Sequence, residues 1–135
     1  MLRLFSTLCL VLMIVSCKQK ASNNIITQDS LIGTWDMERV MEYGKDESEK
    51  HNPAHDRWVE FKADGTFVSD GTPFGRNQGR WTFDEDKSVL SIDSDVDDDD
   101  SEWNVSLLDD VMTWTGIGHP RKENTTLIHR RGKSR

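Results

Sequence analysis

Cysteine is nearly missing from this chain. There are two in 135 residues, Cys9 and Cys17, and neither lies beyond residue 17. No disulfide can therefore staple the body of the chain, and no thiolate cluster can hold a metal there. Positive charge is also in deficit: 17 Lys and Arg stand against 24 Asp and Glu, a formal net charge of −7. Such acidity argues against nucleic acid as a partner, because phosphate backbones are gripped by basic faces. Long hydrophobic runs are lacking as well. The longest, Leu4 to Val15, is about a dozen residues, whereas a spanning helix needs roughly 20. No window of helical length shows sustained 3.6-residue periodicity, which argues against a helical body. Stability must then come from apolar burial, and five Trp and five Phe can supply it.

What is present begins with a leader. Arg3 is a positive start, Leu4 to Val15 is broken only by Ser6, Thr7 and Cys9, and the chain turns polar at Lys18. That is the layout of a secretory signal. The segment Ile14-Val15-Ser16-Cys17 resembles the bacterial lipobox, whose cysteine receives diacylglycerol. Cleavage before Cys17 would remove residues 1–16, Arg3 among them, and leave 119 residues with a charge near −8. Lipid on Cys17 is expected to hold the protein at a membrane of the cell envelope, since an acidic surface does not adhere to an anionic bilayer. Lys18 and Lys20 offer no acidic export tract, so the periplasmic face is favoured over the cell surface. Residues 17–30 read as a lipidated flexible tether. Asp29-Ser30-Leu31 resembles an O-glycosylation acceptor but fits better as the cap of a helical turn before the first strand.

Residues 31–131 read as one domain. Period-2 runs recur between turn signals. Trp35, Met37, Met41 and Tyr43 alternate with Asp36, Glu38 and Glu42, although Arg39 falls on the apolar side and Val40 on the polar side. Further strands are predicted at Arg57 to Lys62, from Phe67, at Arg80 to Asp84, Ser88 to Asp93, Glu102 to Leu108, Val111 to Ile117 and Asn124 to Arg130. Asp64-Gly65 suits a tight hairpin, because both residues tolerate positive φ. Gly132 to Arg135 is expected to fray. Eight short antiparallel strands predict an all-β, up-and-down barrel, with a sandwich as the alternative. Closure would remove exposed strand edges.

Three segments carry a family resemblance: Leu31-Ile32-Gly33-Thr34-Trp35, Phe61 to Phe67, and Gly79-Arg80-Trp81-Thr82-Phe83. The first resembles the Gly-x-Trp opening of lipocalins, and together they resemble the short lipocalin-like, calycin-type domains of bacterial lipoproteins. The resemblance implies that Gly33 and Trp35 mark the barrel floor, under an arginine from near the chain's end. Arg130 or Arg131 could fill that role. A Thr-Asp-Tyr-like motif, a long C-terminal helix and a disulfide are not found here. These absences argue against a deep-cup transporter and leave the barrel untouched.

The candidate sites are modest. Asp93, Asp95 and Asp97 open an acidic run with the spacing of an EF-hand start, but Asp98 stands where its glycine belongs and Asn104 where its glutamate belongs. A solvated acidic loop is the plainer reading. His51 and His55 have helical chelate spacing, yet Pro53 between them breaks a helix. His119 and His129 stand alone. No Gly-x-Ser-x-Gly elbow and no carboxylate pair in an apolar setting is found, so catalysis is not expected and no cofactor is implied. Trp35, Met37, Phe61, Phe67, Trp81, Phe83, Trp103 and Trp114 are expected to point inward, and Trp58 outward. Side chains this large should leave only a small apolar cavity near the open end, with Met37, Met41, Tyr43 and Trp103 as its lining. The expected role is a lipid-anchored module that binds a small apolar ligand or serves as an accessory. The alternative is a filled barrel that binds another envelope protein.

Overall fold

A computed structural model describes residues 25–96 and 98–135. Cys17, the leader and most of the tether fall outside the described residues. In chain order the elements are α1 (Gln28–Leu31), β1 (Gly33–Glu42), β2 (Lys45–Asp46), α2 (Ser48–His51), β3 (Trp58–Phe61) and β4 (Thr66–Asp70). Then follow β5 (Asn77–Asp84), β6 (Val89–Ser94), β7 (Ser101–Leu108), β8 (Val111–Gly116), α3 (Pro120–Glu123) and β9 (Thr125–Arg131).

Alternating side chains decide where the strands face. In β8, Met112 and Trp114 are buried while Val111, Thr113 and Thr115 between them are half-buried. In β5, Trp81 and Phe83 point in between exposed Arg80, Thr82 and Asp84. A strand with one apolar face is stable only when that face is covered. Here each strand pairs antiparallel with the next, and β9 returns to β1, closing an eight-stranded barrel. The two-residue β2 merely extends the end of β1 as a hairpin. Within the barrel, Phe61 packs 4.9 Å from Trp81 and 5.8 Å from Trp114, centroid to centroid. Every residue expected to point inward is buried except Trp103, which is half-buried against the same core.

The imperfect alternation of the first strand has a specific cause. Met37 pairs with His129, but the next pairing is Arg39 with Ile128, so Glu38 is an extra residue. Such a bulge reverses which residues face inward beyond it. Val40 therefore turns into the core and Arg39 turns out to Asp46.

One end of the barrel is sealed. The α1 turn, partly anticipated as a cap, buries Leu31, and Ile26 packs beside it. The segment read as tether thus already belongs to the domain at its C-terminal end. Trp35 lies over this floor, and its Nε1 donates to the Leu31 carbonyl at 2.9 Å. The arginine above it is Arg131, whose guanidinium carbon lies 4.1 Å from the Trp35 ring centroid. Arg131 also donates to the Ile32 and Ser30 carbonyls at 3.1 and 3.0 Å. Arg130 does not take this role. It alternates to the outer face and pairs with Glu38 at 3.2 Å. Gly33 has φ +124, and a Cβ there would sit 3.1 Å from Arg131 Nη1, so the floor needs glycine at this position. The C-terminal residues, expected to fray, return to the barrel: Arg135 pairs with Asp36 and lies over the outward-facing Trp58.

Candidate functional site

The opposite end of the barrel is open and holds a cavity of about 350 Å³. Its walls follow from strand phase. Phe67 and Ser69 share the inner face of β4, Ser101 and Trp103 that of β7, and Leu127 and His129 come from β9. Met37, Val59, Ile92 and Trp114 complete the inner wall. Arg57, Asp70, Phe74, Asn77 and Asp99 stand around the rim. The cavity is therefore mixed in character, a correction to the purely apolar one expected. The rim belongs to strand ends and loops, where polar side chains need no apolar partner.

Met37 and Trp103 line this cavity as expected, whereas Met41 and Tyr43 do not. The bulge is the reason, since it moves Met41 off the inner phase. Tyr43 lies beyond the strand, 63% exposed, in a turn with φ +50. The inward place near the end of β1 is taken by Glu42. Its carboxylate sits 3.1 Å from His51 Nε2 and 3.6 Å from Lys50 Nζ, with Arg121 at 3.9 Å. Desolvation opposes the Glu42 charge, but the close His51 contact and these cations hold its pKa below the usual carboxylate value. His55 instead faces Glu49 at 3.5 Å, so the two histidines are not brought together. His119 caps α3, its Nδ1 accepting from the Arg121 N–H at 3.2 Å.

The acidic run is spent on its own loop. Asp99 accepts from Asn77 at 2.8 Å, Asp100 from the Ser94 N–H at 2.9 Å, and Asp95 from Gln78 at 3.4 Å. Asp93 sits opposite Arg80 in the β5–β6 ladder. These carboxylates tie β6 and its loop to β5 and do not converge. Among the described residues no group of three acidic, His or Cys side chains is placed to hold a metal ion. Asp97 lies outside the described residues.

Two groups at the cavity were not singled out from the sequence. His129 is 1% exposed and stacked 4.4 Å from the Trp114 ring. Burial, and then the nearby Arg57 charge, push its pKa down to about 3, so the imidazole is neutral at ordinary pH. Neither His129 Nδ1 nor Trp114 Nε1 has a hydrogen-bond partner among the described residues. Arg57 is the second. Buried Asn52 fixes its place, donating to the Met37 carbonyl at 3.1 Å and accepting the Asp56 and Arg57 backbone N–H groups. Alternation could have found it, because Arg57 is two residues before Val59 and four before Phe61, on the same face.

The family of C-terminal lipocalin-like domains matches residues 17–127 of the chain. No curated protein matches it significantly. Among solved structures it is similar to a crystal structure of a DUF4847-family protein from Bacteroides vulgatus, with a TM-score of 0.55 and 16% identity over 78% of this chain and 96% of that one. At that identity the likeness is one of fold. The family match spans most of the chain, and the closed eight-stranded barrel agrees with it: the chain belongs to the family of C-terminal lipocalin-like domains.

Proposed function

We propose that this barrel binds one small amphipathic molecule in its open end, while lipid on Cys17 holds it at a membrane of the cell envelope. The observation that carries the reading is the cavity. The aromatic core fills the floor half, and about 350 Å³ is left above it. That is near the lower end of the roughly 300–1,000 Å³ typical of ligand pockets. The lining supports binding over turnover, since it offers apolar walls and a few polar groups that orient a guest. A hollow end also favours this reading over a filled interaction module.

Ser69 allows a direct test. It is half-buried on the cavity wall and holds no core contact together. The wild-type domain should bind the neutral probe N-phenyl-1-naphthylamine saturably, one to one. Ser69→Phe should weaken binding by about tenfold or more by occupying the space, with little change in melting temperature. Equal affinity in the two proteins, or no saturable binding by either, would refute the cavity as a site. The anchor is tested separately. Cys17→Ala should abolish incorporation of labelled palmitate and release the protein from the membrane fraction; label retained on the variant would remove the lipid assignment.

A further inference from the structure

We propose that the ligand carries a single carboxylate, held by Arg57 at the rim, with its apolar body against Phe67, Ile92, Trp103 and Leu127. This rests on the cavity being a ligand site. The arginines set Arg57 apart. Arg39, Arg130, Arg131 and Arg135 pair with Asp46, Glu38, Asp110 and Asp36 respectively, and Arg121 reaches Glu42. Arg76 and Arg80 form no ion pair among the described residues, but both are exposed to water. Arg57 is half-buried, yet no carboxylate of the described residues forms an ion pair with it. Its Nη1 donates to the His51 carbonyl at 3.0 Å, and its flat face lies 4.5 Å over the Phe74 ring. These contacts fix the plane of the guanidinium and use only part of its five N–H groups. A guanidinium held in one orientation beside the apolar wall of a mixed cavity, with donors left over, suits an oxyanion that can accept two of them.

The surroundings limit the charge to one. Asp70 and Asp99 line the same cavity, and so does Arg76, which is exposed and therefore screened by water, unlike half-buried Arg57. Each is anchored elsewhere, Asp70 on the Gly71 N–H and Asp99 on Asn77, both at 2.8 Å. Neither forms an ion pair with Arg57, and their field opposes a second negative charge nearby. His129 at the inner wall is neutral and cannot offset one. Phe74 is part of the rim because Asp56 holds its loop, accepting from the Thr72 N–H at 2.8 Å and the Thr72 hydroxyl at 3.0 Å. An aromatic or short acyl monocarboxylate satisfies both halves of the cavity: the head at the Arg57–Phe74 rim, the body among the aromatics below.

The test compares naphthalene-2-carboxylate, naphthalene-2-carboxamide and 2-naphthyl phosphate, which share one ring system and differ in charge. Binding is followed by quenching of tryptophan fluorescence near neutral pH. Wild-type protein should prefer the acid over the amide by about 10- to 100-fold, the value of a charge-assisted contact partly removed from water. The phosphate should bind no better than the acid. Arg57→Gln should erase the acid's advantage while leaving amide affinity within about threefold. Arg57→Lys, which keeps the charge but loses the fork, should retain part of it. Equal affinity for acid and amide in the wild type overturns the proposal even if Arg57→Gln does not fold, and so does a preference that survives Arg57→Gln or a tighter phosphate. In those cases saturable amide binding would still uphold the cavity; failure of all three probes and of N-phenyl-1-naphthylamine would remove both.

Discussion

Replacing Trp35 by alanine is expected to cost about 3–5 kcal/mol of folding stability, the range for truncating a buried large aromatic. Trp35 is 0% exposed and touches three parts of the floor at once. Its ring packs in the core, its Nε1 satisfies the Leu31 carbonyl, and its face carries the Arg131 guanidinium. The variant leaves a cavity, an unpaired carbonyl and a cation with no ring beneath it. The stacked cation alone is worth about 0.5–2 kcal/mol. A small domain has about 5–15 kcal/mol in total, so the loss is a large fraction of it. Denaturant unfolding should show the midpoint falling with the slope unchanged. Trp58→Ala, on the outer face, is the control and should lose much less. If the midpoint of Trp35→Ala stayed near the wild-type value, the Trp35 floor would not bear the barrel's stability.

Acid should destabilise the domain well above the pH at which its carboxylates titrate. His129 has a pKa of about 3 in the folded barrel, against an unperturbed value of 6.5. In the window between these values the unfolded chain binds a proton that the folded one refuses. Stability is therefore fully present above about pH 6.5 and is lost as pH falls toward 3. At 1.36 kcal/mol per unit, the loss by pH 5 is about 2 kcal/mol. Glu42, Asp46, Asp56, Asp64 and Asp84 also have lowered pKa values, but their unperturbed values are 4.5 or 3.8, so they act mainly below this window. Unfolding free energies of the wild type and of His129→Leu at pH 7 and pH 5 separate the two effects. The wild type should lose about 2 kcal/mol and the variant little. An equal loss in both would show that His129 is not the group responsible.

Much of the fold was legible because strand alternation is local. Met112 and Trp114, or Trp81 and Phe83, face inward whatever the rest of the chain does. The hairpin at Asp64-Gly65 was equally plain, and Gly65 has the positive φ it requires. The first strand was harder. Its broken alternation at Arg39 and Val40 was visible, but a bulge and an irregular sequence look alike until the partner strand is known. That one residue misplaced Met41. Tyr43 failed for a different reason, since its strand had already ended at Glu42. The choice between Arg130 and Arg131 needed the phase of β9 relative to β1. Trp35 pairs with Arg131, and the inward places before it fall to His129.

The short elements α2 and α3 were not foreseen, because four residues carry too little periodicity to register. Yet α2 matters to the cavity. It leads into Asn52, which fixes the backbone of Arg57, and its last residue supplies the carbonyl that holds the guanidinium.

The sequence alone determined the all-β class, the order of the eight barrel strands and the aromatic set that fills them, while the Gly33-x-Trp35 floor came from the family resemblance. Each depends on neighbours within a strand or across one turn. Tertiary structure decided the rest: the bulge in β1, the arginine over Trp35, the cavity at the open end, the half-burial of Arg57 at its rim and the full burial of His129. These arise only when β9 closes onto β1, bringing Arg131 against a carbonyl 99 residues earlier in the chain. Burial of a charge and the volume left between side chains are properties of the closed barrel, where packing in three dimensions sets what each group can touch.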